Sequence, residues 1–171
     1  MTELTLRDLI KSERQVRGRF MDLTGKRRRR PEEERSEKQP DGRPGTKPQA
    51  VIVDMDGTVE NWDGRPNPPG IDYVHRHHAE GRVIIVLTAR DHDWSYSHTH
   101  DWLVNHLPVP FVGPFCRPDD DERYASDFKR DIYERLSHVY DIVSVIDDNQ
   151  HVLDMWLSIP GLEVVATDYT Y

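Results

Sequence analysis

An apolar run that stops abruptly in carboxylates constrains this chain most: Val51-Ile52-Val53, then Asp54-Met55-Asp56-Gly57-Thr58-Val59. A β-branched run bounded by a glycine turn reads as a buried strand. Its two aspartates then stand at the carboxyl end of that strand, the edge where open α/β sheets bind ligands. Carboxylates this close repel, so the arrangement is costly unless a cation or a proton shared with substrate compensates. A magnesium ion and a phosphate group supply what is missing. The residues therefore point to phosphoryl transfer, and within that class to a phosphatase.

From Ala50 onward apolar strands alternate with helical patterns. The spacing predicts strands over 51–54, 83–87, 142–146 and 162–166, with a short one at Phe111 and Val112. It predicts helices over 73–80, 95–107, 125–140 and 150–158. Repeated strand–helix–strand units imply an α/β fold built on a doubly wound parallel sheet. Residues 49–171 form the expected catalytic domain. Residues 1–48 form the expected extension, with a weak helical pattern over 3–23 and a flexible Pro/Gly-rich linker over 24–48.

Charge divides the chain in the same way. Residues 1–49 carry a balance of +5 and residues 50–171 a balance of −13, which together make the net −8. A basic head is thus joined to an acidic, well-patterned body. A single cysteine, Cys116, excludes an intramolecular disulfide and suggests a reducing compartment. No apolar run reaches the length of a membrane span, and the first residues lack the core of a signal peptide. A cytoplasmic location is the expectation.

Further polar clusters fall at predicted strand ends or on the helix before one. Thr88 and Arg90 follow the second strand, Lys129 lies on the long helix, and Asp147 and Asp148 follow the strand over 142–146. In a parallel sheet these carboxyl ends lie on one edge and can converge. The order Asp-x-Asp-Gly-Thr, Thr, Lys, Asp-Asp resembles the haloacid dehalogenase (HAD) superfamily of phosphatases over residues 50–171. The resemblance implies a HAD-like Rossmannoid core and a phosphoaspartate mechanism. Asp54 would be the nucleophile and Asp56 the general acid and base. Thr88 and Lys129 would hold the phosphoryl oxygens and their charge. Mg²⁺ would bind Asp54, the Asp56 backbone carbonyl and one carboxylate of Asp147 and Asp148. Asp148 is the first choice, because Asp147 aligns with the glycine that precedes the ligand in most relatives.

Cap size narrows the substrate. There are 28 positions from Thr58 to Val86 and 38 residues between Arg90 and Lys129, too few for a large cap domain beside the core elements. An open site favours a phosphate on a bulky substrate, such as a protein or a nucleic-acid end. The approach Pro44 to Asp54 resembles that of the 3′-phosphatase domain of bacteriophage polynucleotide 5′-kinase/3′-phosphatases. So do Asp63-Gly64-Arg65, Thr88-Ala89-Arg90, Arg117, Arg123 ahead of Lys129, and Val145 to Asp148 followed by Val152 to Trp156. That resemblance implies binding of a 3′-terminal phosphate by Arg65, Arg90, Arg117 and Arg123. The chain departs from the pattern at Ala125, where relatives carry an acid, and at Asn149, where they carry arginine.

The leading expectation is a Mg²⁺-dependent polynucleotide 3′-phosphatase that repairs 3′-phosphorylated DNA or RNA ends, beside a separate kinase or ligase. Alternatives are a HAD hydrolase of small phosphate esters or nucleotides, and a non-catalytic end-binding protein. Gly25-Lys26 is followed by Arg27 where a phosphate loop needs Ser or Thr, so no kinase activity is expected. Arg27 to Arg30 are either nucleic-acid contacts or a solvated linker run, and Trp94, Tyr96 and Trp62 either stack on bases or pack. The histidines His75, His77, His78, His92, His98 and His100 read as solvated helix positions rather than a zinc site. Asp119 to Glu122 read as a charged loop before the long helix.

Overall fold

A computed structural model describes residues 47–107 and 109–167. The helix and most of the linker expected before residue 47 lie outside the described residues. The described chain runs β1 (Gln49–Val53), α1 (Pro68–Ala79), β2 (Val83–Asp91), α2 (His92–His106), β3 (Phe111–Arg117), α3 (Ala125–Leu136), β4 (Asp141–Asp147), α4 (Gln150–Leu157) and β5 (Glu163–Ala166). The strands form one parallel sheet in the order β3-β2-β1-β4-β5. This is a doubly wound α/β core of the HAD-like Rossmannoid kind, with no separate cap among the described residues.

β1 sits at the centre because it is apolar on both faces. Ala50, Val51, Ile52 and Val53 are all buried. Side chains alternate between faces along a strand. Val51, Val53, Ile84 and Val86 share a core with Tyr73 and Val74 of α1 and Trp102 and Leu103 of α2. The alternation leaves Ile52, Ile85 and Leu87 for the other face, where α3 and α4 bury Phe128, Ile132, Leu136, Val152 and Trp156. The chain leaves β1 first toward β2 and β3, then returns to place β4 and β5 on the other side. The order therefore reverses at β1 and β4, and the crevice at their carboxyl ends is the topological switch point.

Several element bounds differ from the sequence expectation. β2 runs on to Asp91, because pairing with β3 extends to Asp91 opposite Arg117. Thr88 and Arg90 are thus inside the strand rather than after it. β3 reaches Arg117 despite Gly113 and Pro114; it is an edge strand, where a residue without an N–H is tolerated. α1 begins at Pro68, five residues early, since proline suits the first helical turn. α2 likewise begins at His92, and α3 ends at Leu136, four residues short. His77 is buried rather than solvated, packed on Tyr73 and contacting Arg82.

The turn after β1 is built with little tolerance. Gly57 takes a positive φ of 68°, which suits a residue without a Cβ. The Met55 carbonyl accepts from the N–H groups of Thr58, Val59 and Glu60. Asn67 precedes α1, yet its side chain caps nothing there. It donates instead to the carbonyls of Gly57 (3.1 Å) and Thr58 (3.0 Å), and the Thr167 hydroxyl also donates to Gly57. α1 presses on the same turn through Gly70, where a Cβ would lie 1.9 Å from the Thr58 carbonyl oxygen. Gly70→Ala is therefore expected to destabilise the domain by about 1–3 kcal/mol through forced displacement of the turn. Denaturant unfolding of the two proteins checks this, and an unchanged midpoint would show that α1 shifts freely.

Candidate active site

β1 delivers Asp54 to the switch point, and β4 delivers Asp147 beside it. The backbone N–H of Asp54 donates to the Ile146 carbonyl at 3.1 Å, which continues the ladder and fixes the two carboxylates as neighbours. Lys129 reaches them from the first turns of α3. It lies beside the apolar stripe of Phe128, Ile132 and Leu136, so its stem is buried with them. Its ammonium donates to Asp54 Oδ1 and to Asp147 Oδ2, both at 2.7 Å. Asp54, Lys129 and Asp147 are 5%, 3% and 2% exposed, so these charges interact with little help from water.

Each carboxylate is held further. Thr58 Oγ1 donates to Asp54 Oδ2 at 3.4 Å, and Trp156 Nε1 donates to Asp147 Oδ2 at 3.3 Å. The N–H groups of Asp148 and Asn149 donate to Asp147 Oδ1. Burial pushes the Asp54 carboxyl up to about 8, against the pull of Lys129 and with the help of Asp147 and Asp148. Burial and Asp147 raise Asp148 to about 6. Burial alone would lower Lys129, but Asp54 and Asp147 hold it above its ordinary value. With all three carboxyls ionised, one ammonium would not balance them, and the raised Asp54 and Asp148 express that excess.

Asp54, Asp147 and Asp148 each offer a carboxylate oxygen within 4.8 Å of the other two. This is the acidic cluster of metal-binding geometry among the described residues, and its donors are hard oxygens of the kind Mg²⁺ prefers. Both members of the Asp147-Asp148 pair belong to it. Asp147 differs from Asp148 in also carrying the Lys129 and Trp156 bonds. No group of histidines joins such a cluster among the described residues.

Asp56 stands apart from the cluster and engages Arg90. The guanidinium donates from Nε to Asp56 Oδ2 (2.9 Å) and from Nη2 to Asp56 Oδ1 (2.5 Å). Nη2 also donates to Glu60 Oε2 at 2.7 Å, and Nη1 to Thr99 Oγ1 at 3.0 Å. Thr88 is buried, and its hydroxyl accepts from the Arg90 N–H at 3.3 Å.

The other three arginines are separate from this clamp. Arg65 is exposed on the loop after β1 and pairs with Asp63. Arg117, at the end of β3, pairs with Asp91 at 3.0 Å and donates weakly to the Arg123 carbonyl. Arg123 pairs with Asp121 at 2.7 Å. The acidic loop over 119–122 serves partly to hold its neighbours: Asp119 accepts from the Asp93 N–H and Asp121 from Arg123. Trp94 is 90% exposed, which removes core packing as its role; Tyr96 and Trp62 are also exposed.

Sequence reasoning missed Glu60, Thr99 and Asn67. Glu60 stands four residues after Asp56, and a further acid that close to Asp-x-Asp-Gly-Thr was a usable signal; in the fold it is only 6% exposed. Thr99 lies nine residues beyond Arg90 on a helix, and nothing local marks it.

Comparison with known proteins bears on the family and the fold. The sequence model of the polynucleotide kinase PNKP phosphatase domain matches residues 48–170. A chain in a solved Pnkp1/Rnl/Hen1 complex superposes with a TM-score of 0.65 at 22% identity, over 92% of this chain and 60% of that one. A chain in a Pnkp1/Rnl/Hen1 RNA repair complex superposes with a TM-score of 0.63 at 23% identity, over 72% of this chain and 43% of that one. Both likenesses are of fold. This chain spans less than two thirds of the length of either relative.

Proposed function

Since this chain belongs to the polynucleotide kinase PNKP phosphatase-domain family of HAD phosphatases, we propose that it is a Mg²⁺-dependent phosphomonoesterase that removes the 3′-terminal phosphate from DNA or RNA ends. The observation that carries the proposal is the buried Asp54–Lys129–Asp147 constellation at the switch point, with Asp148 alongside.

In this mechanism an Asp54 carboxylate oxygen attacks phosphorus. The bond from phosphorus to the 3′ oxygen breaks, and Asp56 gives that oxygen its proton. Asp56 then takes a proton from water as the water attacks phosphorus. The bond to Asp54 breaks, releasing inorganic phosphate and restoring both aspartates. Lys129 offsets charge on Asp54 and on the phosphoryl oxygens, and the Thr88 hydroxyl offers them a hydrogen bond. Arg65, Arg117 and Arg123 are the candidates for holding the terminal phosphate and its strand, whereas the guanidinium of Arg90 is engaged by Asp56, Glu60 and Thr99.

Mg²⁺ would be held by Asp54, Asp148 and Asp147 with the Asp56 carbonyl, and would supply positive charge to the phosphoryl group and to these carboxylates. The raised Asp54 carboxyl supports that requirement. A nucleophile protonated up to about pH 8 is weak, and a divalent cation beside it favours the ionised form. A separate kinase or ligase is proposed to complete the repair.

The test is phosphate release from a 3′-phosphorylated oligonucleotide with Mg²⁺, with and without chelator. Release that the chelator abolishes and Mg²⁺ restores is expected. Hydrolysis of nucleoside monophosphates without release from the oligonucleotide would replace the polynucleotide by a small phosphate ester. Release unaffected by chelator would remove the metal from the mechanism.

A further inference from the structure

Glu60 is a buried carboxylate, 6% exposed, that no step above uses. Its only side-chain hydrogen bond among the described residues is the 2.7 Å contact with Arg90 Nη2. Thr99, fully buried, accepts from the other terminal nitrogen at 3.0 Å. These two acceptors lie on different elements, the loop after β1 and α2, and each takes a different terminal nitrogen. Together they define the plane of the guanidinium. Within that plane the remaining edge, Nε and Nη2, meets both oxygens of Asp56.

We propose that Glu60 and Thr99 form a bracket that fixes Arg90, and that Arg90 in turn fixes the carboxyl orientation of Asp56. Glu60 and Thr99 are positioning residues, and the property they set is the aim of the acid at the leaving oxygen. The chemistry of the clamp supports this reading. A guanidinium is rigid and planar, so two anchors determine where its third edge points. An aspartate on a turn after a strand is free about χ1 and χ2 unless something engages both oxygens. Buried carboxylates are unfavourable unless paired, so Glu60 is accounted for by Arg90 and by nothing else described. The inference rests on the acid role of Asp56 in the proposed function.

A positioned acid matters only where the leaving group needs a proton. The experiment therefore compares kcat/KM on p-nitrophenyl phosphate, whose leaving oxygen departs unaided, with kcat/KM on a simple alkyl phosphomonoester and on the 3′-phosphorylated oligonucleotide. Glu60→Ala is expected to lower kcat/KM on the alkyl and oligonucleotide substrates by about 10-fold or more, and on p-nitrophenyl phosphate by about 2-fold at most. Glu60→Gln keeps an acceptor oxygen for Nη2 and is expected to recover to within about 3-fold of the parent protein. Thr99→Val keeps the shape of α2 and is expected to show the same selectivity in weaker form, which decides the matter if Glu60→Ala does not fold.

Equal losses on all substrates, or none, would overturn the bracket. Asp56→Asn separates the two levels of the argument. If it is selective for poor leaving groups while the Glu60 and Thr99 variants are not, the bracket fails and the acid role stands. If Asp56→Asn shows no selectivity, the acid role fails and the bracket with it.

Discussion

Asn in place of Asp54 is expected to reduce phosphate release by on the order of 10³-fold or more, because the amide cannot form the bond to phosphorus that the mechanism requires. The fold is expected to survive. The substitution keeps volume, keeps the N–H bond to Ile146, and removes a charge that burial already disfavours. The sign follows from the raised carboxyl. An aspartate whose folded-state value lies near 8 is harder to ionise folded than unfolded, so above about pH 4 its ionisation opposes folding. Without metal at pH 7 the variant should therefore melt no lower than the parent protein by more than a few degrees. With Mg²⁺ the order should reverse, since the parent gains more from the cation. Phosphate release and thermal melting, each with and without Mg²⁺, check both halves. Activity near the parent level would dismiss Asp54 as nucleophile.

Lys129→Ala is expected to have the largest effect on stability, about 3–5 kcal/mol, because it leaves the buried carboxyl groups of Asp54 and Asp147 without their shared cation. The penalty depends on pH in a defined direction. Without Lys129 the Asp54 carboxyl rises above its value of about 8, so the penalty grows as pH rises through 8, where the parent ionises Asp54 in the fold and the variant still holds the proton. The variant is thus expected to fall further behind the parent protein as pH rises from about 7 toward 9, and added Mg²⁺ should recover part of the loss. Denaturant unfolding across that range is the measurement. A penalty independent of pH would mean that lost packing of the lysine stem, and not charge, dominates. Turnover should fall with either cause, so stability is the sharper readout.

Much of this architecture is written locally. Val51 to Val53 can hardly be anything but a central strand, since three β-branched residues precede two aspartates and a glycine turn. The same local logic places Asp54, Lys129 and Asp147, because each sits at the end of an apolar strand or on the edge of a helical stripe. What the sequence conceals is tertiary in origin. The extension of β2 through Arg90 depends on β3 lying alongside, and Asp91 opposite Arg117 is a pairing that no local pattern announces. The clamp on Arg90 draws Glu60 and Thr99 from segments 30 and 9 residues away. His77 shares its helix with exposed His75 and His78, and only the packing of α1 decides which of them turns inward. Asn67 looks like a helix cap, yet its side-chain nitrogen donates to the carbonyls of the Gly57 turn and no cap bond to the helix forms.

The central strand is also the first strand among the described residues, and its two neighbours come from different distances along the chain. β2 pairs with β1 after a short excursion through α1, whereas β4 pairs with it only after β2, β3 and three helices have been made. Until then one side of β1 is an unpaired apolar edge, the feature that promotes association between incompletely folded chains. That same side carries Asp54, waiting for Asp147. The pairing of β4 thus both covers that edge and assembles the charges of the site. A nascent chain long enough to present its nucleophile is not yet able to use it, and a chain able to use it no longer exposes the edge.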